Sequence, residues 1–416
     1  LQIAPGPAPT GSEAQVGRRG DVLDAPMLCW LVWVVGLLVP AVEGLAGGGG
    51  GHFLEPHNDC PERCRCDEET RSVVCTSLIN GLPPRLPPEM DSLTVQNATD
   101  FYIIPKHAFR KMDRLREIRF ENCPHLQTIE KFAFKNLRRL KLISFSGCPS
   151  LTELVKGAFS SIQNEELLKI LISAPIRTVH GGAFRHASRL REVSISGSLM
   201  HLQKHAFSSI NQLDFLDLSG VMKIDSHAFS NSTRFHIVNI FMSQVAIEKH
   251  AFADLNGVHQ IIIHRSRLPV LESEAFSGVI TLEHLELCDN EIGTMSPHAF
   301  TGAINVGRIK LARNKIERME SPDAVNQGDA ITLTLEGNKI RCSCDLKWMS
   351  YHQNRDLVSL NYCEDERSVR NYLANFCFSA EGSIKKSANR VLGAKSSAPS
   401  LISTSFITIL IGYFLF

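Results

Sequence analysis

The chain has 416 residues, with 44 lysine and arginine residues against 43 aspartate and glutamate residues. This balance gives the protein no bulk electrostatic field, so the composition argues against a nucleic-acid partner. The length alone suggests two or three domains, but a strict internal repeat overrides that expectation because a repeat array grows in one dimension.

The N-terminal part has the features of a secretory leader. Residues 1–26 are rich in Gly, Pro and Ala, and we expect them to be an unstructured upstream extension. An apolar run of signal-peptide length begins at Met27, which we take as the start, and small residues suitable for cleavage follow it, so a signal peptide is predicted over 27–47. The alternative is a membrane anchor, which the short run and Pro40 disfavour. Residues 48–59 are a Gly-rich spacer.

Two cysteine clusters lie on either side of the repeats. Residues 60–89 carry the spacing C-x3-C-x-C-x8-C, and residues 341–378 carry C-x-C-x18-C-x13-C. The eight cysteines are Cys60, Cys64, Cys66, Cys75, Cys342, Cys344, Cys363 and Cys377. Four cysteines can form two disulfide bonds or hold a zinc ion. The secretory signal and the flanking positions favour disulfide-bonded caps over the ends of a repeat core, with three possible connectivities in each cap.

The dipeptide Ala-Phe recurs every 22 to 25 residues between the two clusters. Its phenylalanines are Phe109, Phe134, Phe159, Phe184, Phe207, Phe229, Phe252, Phe276 and Phe300. A fixed period in this range is typical of a solenoid of stacked units. We expect the phenylalanines to stack on one another as a buried column.

A second pattern runs in phase with the first. Apolar residues spaced like Leu213, Leu216 and Leu218 precede each Ala-Phe, and Asn290 is one of three asparagines at the position that completes L-x-x-L-x-L-x-x-N. This is the leucine-rich repeat signature, and its alternation suits a short strand with one buried face. We count eleven repeats over 90–340 and predict an α/β solenoid, a horseshoe with a parallel concave sheet and disulfide caps at both ends.

The ninth repeat position varies along the chain. Asn290, Asn314 and Asn338 occupy it late, whereas the earlier residues are Cys123, Cys148, Pro175, Ser198, Val221, Ser243 and Ser266, so the asparagine ladder is predicted to be broken in the middle. Cys123 and Cys148 are expected to be buried thiols, with a disulfide bond between them as the alternative. Cys288 is expected to face outward, either as a free thiol or as an intermolecular link.

The cysteine-rich ends carry a specific resemblance. The stretch from Cys60 to Cys66, CPERCRC, and the stretch from Asn338 to Trp348, NKIRCSCDLKW, resemble the caps of extracellular leucine-rich repeat proteins. That resemblance implies first-to-third and second-to-fourth pairing: Cys60–Cys66, Cys64–Cys75, Cys342–Cys363 and Cys344–Cys377. The middle repeats, such as the stretch from Glu121 to Ile129, ENCPHLQTI, resemble the irregular repeats of glycoprotein hormone receptor ectodomains. The overall plan resembles the lipid-anchored Nogo receptor family.

Two kinds of modification signal fit an extracellular chain. Asn97 and Asn231 lie in N-glycosylation sequons. The polar segment 379–400 is followed by the hydrophobic tail 401–416, which is short for a spanning helix. The small residues Ser387-Ala388-Asn389 and the spacer after them fit a glycosylphosphatidylinositol (GPI) anchor signal with attachment at Ser387. A single membrane span is the alternative.

The sequence contains none of the motifs G-x-S-x-G, H-E-x-x-H and the P-loop, so we predict a non-enzymatic protein that uses no cofactor. Histidine precedes the Ala-Phe dipeptide in five repeats, at His107, His205, His227, His250 and His298. A zinc site or pH sensor at this edge is one interpretation, and a solvated turn position that recurs with the repeat is the interpretation we favour.

The concave face of the sheet is the predicted ligand surface, because its side chains are not needed in the core. The candidate ligand-binding residues are Leu171, Phe241, Met242, Ile262, His264, Arg265, Glu286 and Lys310. Exposed apolar side chains in a row favour a contact patch. The alternative is that irregular repeats turn these residues into the core.

Together these features predict a recognition protein on the outer face of the plasma membrane, held there by its C-terminal tail as a lipid anchor or a single span. It would bind an extracellular protein ligand through the concave face, as an adhesion molecule or as a co-receptor beside a membrane partner. The alternative is a structural component of the extracellular matrix, secreted rather than anchored.

Overall fold

The computed structural model describes residues 60–78, 81–83, 85–87, 89–303, 305–322 and 332–378. The predicted upstream extension, signal peptide, spacer, stalk and hydrophobic tail, together with Ser387, lie outside the described residues.

A main sheet of parallel strands runs through the described repeats. Its twelve strands are β2 Ser72–Thr76, β3 Ser92–Gln96, β5 Glu117–Glu121, β7 Leu142–Ser146, β9 Leu168–Val179, β10 Leu190–Leu202, β11 Leu213–Ile224, β12 Ser232–Phe241, β14 Leu255–His264, β16 Leu282–Cys288, β18 Val306–Ala312 and β20 Thr332–Glu336. Each pairs in parallel with the next. The predicted parallel-sheet solenoid is confirmed: eleven strands are the predicted repeats, and β2 adds the N-terminal cap to the same ladder.

Shorter strands follow the main-sheet strands and extend the parallel pairing around each turn. They are β4 Ile103–Ile104, β6 Thr128–Ile129, β8 Glu153–Leu154, β13 Ala246–Ile247, β15 Arg267–Leu271, β17 Glu291–Met295, β19 Lys315–Met319, β21 Lys339–Ile340 and β22 Tyr362–Cys363. Strands β9, β10 and β11 are long enough to reach this second column without a break. Strand β1 Cys64–Asp67 pairs antiparallel with β2 and closes the N-terminal end.

The register keeps equivalent core residues beside one another. In β11, Leu216 and Leu218 are fully buried, while Asp217 between them faces the other side of the sheet. Leu216 is in register with Val193 of β10 and Val238 of β12. Because side chains alternate along a strand, a shift of one residue would move every core side chain to the solvent side, so the hydrophobic pattern fixes the stacking.

The phenylalanines of the Ala-Phe dipeptides form the predicted buried column. Consecutive rings from Phe109 to Phe300 have centroids 4.9–5.9 Å apart and interplanar angles of 1–21°. All of these rings are at most 2% exposed. A second aromatic stack, Phe101, Phe120 and Phe145, fills the core of the early repeats.

The segments that carry Ala-Phe are turns, and the helices of the described residues lie in the C-terminal cap. These helices are the 3₁₀ helix Cys344–Lys347, the α-helices Trp348–Tyr351, Asp356–Ser359 and Val369–Tyr372, and the π-helix Leu373–Phe378. None of the helices found in the described part of the chain has the length and apolar character needed to cross a bilayer.

The ninth repeat position forms a longer hydrogen-bonded ladder than predicted. Asn290 donates its backbone N–H to Asn314 Oδ1, and Asn314 donates likewise to Asn338 Oδ1, each at 2.9 Å. The ladder continues into the cap, where Asn338 N–H donates to Asn361 Oδ1 at 3.0 Å. The sequence did not single out Asn361, because it lies outside the repeat pattern.

Serine continues the ladder toward the middle repeats, so the prediction of a break there is wrong for two positions. Val221 N–H donates to Ser243 Oγ at 2.9 Å, Ser243 N–H donates to Ser266 Oγ at 3.2 Å, and Ser266 N–H donates to Asn290 Oδ1 at 2.9 Å. A hydroxyl oxygen replaces the amide oxygen here because both accept a backbone N–H at short range.

Two disulfide bonds lie at each end of the described repeats. They join Cys60 to Cys66, Cys64 to Cys75, Cys342 to Cys363 and Cys344 to Cys377, the pairing that the resemblance implies. Cys75 lies in β2, at the N-terminal end of the core, and is fully buried. Met349 of the C-terminal cap is also fully buried. The caps therefore cover the two ends of the hydrophobic core, which a solenoid would otherwise expose to water.

A charged cluster links three turns beside the second strand column. Asp225 Oδ1 accepts from His201 Nε2 at 2.7 Å and from Lys223 Nζ at 2.9 Å, and Lys223 also contacts Glu248 Oε1 at 2.6 Å. Burial opposes ionisation of Asp225, but the bonds from His201 and Lys223 outweigh it and lower its pKa. The pKa of Glu248 is lowered mainly by Lys223.

We predict that Phe207→Ala destabilises the protein by about 3–5 kcal/mol, because it leaves a cavity in the column between Phe184 and Phe229. Thermal and denaturant unfolding would measure the change. The matched control is Phe215→Ala, since that ring is 38% exposed on the main sheet. Equal shifts for the two variants would contradict a stabilising role for the column.

We also predict a pH-dependent effect of Asp225→Asn. The pKa of Asp225 in the folded protein lies below its ordinary value of 3.8. The ionised carboxylate therefore stabilises the fold fully at pH values above 3.8. This contribution is lost as the pH falls through the folded-state pKa. Because the cluster is partly exposed, the variant should lose roughly 0.5–1 kcal/mol at neutral pH.

The measurement is thermal unfolding of both proteins from pH 7 downward. The difference in Tm should persist to about pH 4 and shrink in stronger acid. Asp113→Asn, at an exposed turn position, is the control. A difference that does not depend on pH would mean that the ion pairs are not its cause.

Candidate ligand-binding face

We call the outward side-chain positions of the main-sheet strands, together with the residue that follows each strand, the sheet face. Register sets the neighbours on this surface. Phe241, the last residue of β12, lies beside His264 of β14, and their rings stack with centroids 5.6 Å apart. Ile262 lies between Asn239 and Glu286.

Seven of the eight predicted ligand-binding residues lie on four consecutive strands or directly after them. Glu286 of β16 is in register with Lys310 of β18, which places opposite charges on neighbouring strands. Met242 and Arg265 follow the ends of β12 and β14. Leu171 does not join this group, because it lies on β9 between Ser144 and Ser194, with β10 and β11 separating it from β12.

The predicted ligand-binding residues differ in their exposure to solvent. Met242 is 64% exposed, Arg265 is exposed, and Phe241 and Lys310 are half-buried. Ile262, His264 and Glu286 are each less than one-tenth exposed, so the expectation that they present themselves to solvent is wrong. In-register side chains flank each of these three residues on both sides.

The residues that follow the main-sheet strands share a left-handed backbone. Met242 and Arg265 both have φ of 48°, Asp289 has 57° and Arg313 has 53°. Non-glycine residues adopt this conformation only where the surrounding structure holds them. Here the ninth-position side chain that follows each of them, such as Ser243 after Met242, anchors the backbone through the ladder. The exposed side chains are therefore displayed from a fixed backbone.

Ion pairs join neighbouring turns across the sheet face. Arg313 donates Nε and Nη2 to the two oxygens of Asp289, each at 2.8 Å, in a bidentate geometry. Lys169 Nζ lies 2.7 Å from Glu192 Oε2 farther toward the N-terminus. Bidentate pairs fix direction as well as distance, so the late part of the face has a defined charge pattern.

Burial also sets the charge of His264. Its pKa is lowered, first by desolvation and then by the cation of Arg265, with Asp289 acting in the opposite direction. The imidazole is therefore neutral at pH 7, and its ring is available for aromatic packing with Phe241 rather than for an ion pair.

One group of described residues has the donor geometry of a metal site. Candidate ligand atoms of His259, in the middle of β14, and of Glu283 and His284, near the start of β16, lie within 4.8 Å of one another. Two imidazoles and a carboxylate suit zinc or a similar divalent ion. The five histidines of the Ala-Phe turns do not belong to this group.

The three described cysteines outside the caps are buried. Cys123 and Cys148 are the free thiols of the described chain, as expected, and the pKa of Cys123 is raised by the neighbouring Cys148 thiol and by burial. Cys288 occupies the expected outward position of β16, on the same side as Glu286, but it is only 1% exposed. It is disulfide-bonded, so its interpretation as a free thiol is wrong. It ends β16 between His264 and Ala312 of the adjacent strands.

The two sequon asparagines are accessible. Asn97 and Asn231 are both exposed and have left-handed backbones with φ of 52° and 55°. Asn97 follows β3 of the main sheet, and Asn231 lies at the turn edge directly before β12. Glycosylation of either residue stays a prediction.

Comparisons with known proteins agree with the repeat architecture. The BspA-type leucine-rich repeat region family matches residues 102–236 in six copies, and the leucine-rich repeat family matches residues 256–316. No curated protein matches this sequence.

Two solved structures share a distant likeness. Human 5T4 (Wnt-activated inhibitory factor 1, trophoblast glycoprotein) is 19% identical, with 52% of this chain and 84% of that chain covered and a TM-score of 0.33. A chain in the octameric complex of Latrophilin 3, Unc5D and FLRT2 is 17% identical, with coverages of 75% and 97% and a TM-score of 0.38. At these identities and TM-scores, neither structure carries functional information for this chain.

The repeat matches, the continuous parallel ladder and the paired cysteines at its two ends are independent observations that agree. The described repeats therefore form a leucine-rich repeat array, with a cysteine-rich cap at each end.

Proposed function

We propose that this chain is a non-enzymatic recognition protein of the cell surface, which binds an extracellular protein ligand through the sheet face as an adhesion molecule or co-receptor. The observation that carries the proposal is the exposed pair Met242 and Arg265 beside the half-buried ring of Phe241. Aromatic, Met and Arg side chains are enriched in the centres of protein interfaces.

The fixed backbone supports a binding role for these residues. Ser243 Oγ donates to Phe241 O at 2.8 Å and accepts from Val221 N–H at 2.9 Å, which holds the turn that displays Met242. A preorganised surface loses little conformational entropy when a partner binds, so more of the contact energy appears as affinity. The bidentate pair of Asp289 and Arg313 adds a charge pattern that orients the partner.

The four disulfide bonds of the two caps support an extracellular location. Disulfides of this kind form and persist in oxidising compartments, and they are rare in the cytosol. The predicted signal peptide over 27–47 is consistent with this location.

The ligand test is a binding screen of cell-displayed full-length protein against a panel of extracellular proteins, followed by variants. Met242→Asp should raise the Kd of the ligand identified in the screen by about tenfold. The reason is that a desolvated carboxylate would replace an apolar contact, at a cost of about 1.4 kcal/mol or more. Met222→Asp is the matched control, since Met222 is 42% exposed on the far half of β11.

Equal affinities for wild type, Met242→Asp and Arg265→Glu would overturn the assignment of the ligand to this face. Recovery of the protein chiefly in the extracellular matrix, with fibrous components as its partners, would instead favour the structural alternative.

We further propose that the mature protein is held on the membrane by a lipid at Ser387. The support is sequence alone: three small residues at 387–389, a polar spacer over 390–400 and the apolar segment 401–416. Phosphatidylinositol-specific phospholipase C should release the protein from intact cells. Mass spectrometry should then find a C-terminal peptide ending at Ser387 with a glycan-lipid remnant. A surface protein that retains the peptide 406–416 would contradict the anchor and favour a spanning helix.

A further inference from the structure

A groove opens at the turn edge of the early repeats because two turns lack a side chain that the others have. The residue before Ala-Phe has a left-handed backbone in the turns of His107, Phe132, His205 and others. At two successive turns this residue is glycine, Gly157 with φ of 86° and Gly182 with φ of 80°. Two side chains are therefore absent from the edge between Phe132 and His205. The space that they leave is part of a groove of about 780 Å³.

The walls of this groove carry positive charge. Three of its lining residues are the cations Lys131, Lys156 and Arg185, and aspartate and glutamate are absent from its lining. Hydroxyl groups complete the surface at Ser160, Ser161, Ser208, Ser209 and Ser230. We call this surface the basic groove.

Glycine also determines where the lysine side chains lie. A Cβ on Gly157 would stand 2.6 Å from Cγ of Lys131, so the stem of Lys131 lies across the glycine of the next turn. A Cβ on Gly182 would stand 3.9 Å from Cγ of Lys156, which repeats the arrangement one turn later. The two ammonium groups are thus brought to the same groove from successive turns.

The cations of the basic groove lie outside the ion pairs of the described chain, although Glu130 lines the adjoining surface with Lys131 and Lys156. Lys131, Lys156 and Arg185 make no ion pair with any residue in the described ranges, whereas Lys249, on the same edge four turns after Lys156, lies 2.9 Å from Glu274 Oε2. The pKa of His205, at the end of the groove, is lowered by burial and then by cations that include Lys204 and Arg185. The potential in the groove is therefore positive even though the whole chain is nearly neutral.

We propose that the basic groove binds a sulfated polysaccharide of the glycosaminoglycan class. The groove is lined by residues of five successive turns, which gives it a length of roughly 20 Å at a strand spacing of about 4.8 Å. This length fits several sugar rings of an extended polyanion better than a single phosphate. Sulfate groups would meet the three cations, and the serine hydroxyls would donate to sulfate and sugar oxygens.

The site is separate from the sheet face, and the proposal does not rest on the ligand assigned there. Its lining residues belong to the turns with Ala-Phe, whereas Phe241 and Met242 lie at the ends of main-sheet strands. A chain that uses both surfaces would bind a protein ligand and a polysaccharide at the same time. Asn231 lines one end of the groove, so a glycan there would border the polysaccharide rather than cover its centre.

The test uses detergent-solubilised full-length protein and heparin oligosaccharides as the probe. The triple variant Lys131→Gln, Lys156→Gln, Arg185→Gln should raise the Kd by about tenfold or more, and the slope of log Kd against log salt should fall by about two to three, one for each lost contact. The control is the triple variant Lys249→Gln, Lys315→Gln, Lys339→Gln, which removes the same charge from other turns and should leave binding nearly unchanged.

A second variant tests the shape of the groove with its charge intact. Gly182→Asn places a side chain in the gap where the nearest atom to a new Cβ is 3.8 Å away, and asparagine tolerates the left-handed backbone. It should weaken heparin binding while thermal unfolding stays close to wild type. Met242→Asp should leave heparin binding unchanged, which separates this proposal from the sheet-face ligand.

Three results would overturn the proposal. Equal loss of affinity in the groove variant and the control variant would mean that heparin responds to net charge alone. Equal binding of fully desulfated heparin would exclude sulfate recognition. Binding to phosphatidylserine vesicles without binding to heparin would assign the groove to an anionic membrane surface instead.

Discussion

The structure depends on the stacking of equivalent residues from one turn onto the next. Each repeat alone has an apolar strand and one Phe ring with no core of its own, so the turns are stable only as neighbours. The Phe column shows this constraint directly, because its centroid spacing of 4.9–5.9 Å nearly equals the spacing of paired strands. The distance between successive turns is therefore nearly the same in the Phe column as in the hydrogen-bonded main sheet.

Because all turns stack with the same spacing, a different residue at one repeat position changes the surface only at that turn. Gly157 and Gly182 stand where other turns have His, Phe or Glu, and the groove follows from two missing side chains in a row. Ser243 and Ser266 stand where later repeats have Asn, and the ladder survives because a hydroxyl oxygen still accepts the N–H. The regular core thus tolerates variation at its edge, and that variation creates surfaces of different shape and charge.

The two surfaces differ in their physical character. The sheet face presents a few apolar and charged side chains from a hydrogen-bonded backbone, which suits a protein partner of complementary shape. The basic groove presents flexible lysine and arginine side chains above serine hydroxyls, which suits a flexible polyanion. A recognition protein on a cell surface can use the second surface to hold it near the matrix while the first selects its partner.

The sequence by itself determined the solenoid, the eleven repeats, the buried Phe column and the positions of the two caps. These follow from periodicity, because residues that recur at a fixed spacing must face the same neighbours in each turn. The asparagine ladder was predicted only in part, since Asn361 lies outside the repeat motif and the serine links depend on distances of about 3 Å between turns.

The tertiary structure alone decided which outward residues are accessible and where the groove lies. Ile262, His264 and Glu286 occupy the same alternating positions as exposed residues of other strands, yet they are buried. The burial of a side chain depends on all the residues packed around it, and the repeat pattern does not specify those neighbours. For the same reason, Lys131 and Lys156 became parts of one basic surface only when successive turns placed them over Gly157 and Gly182.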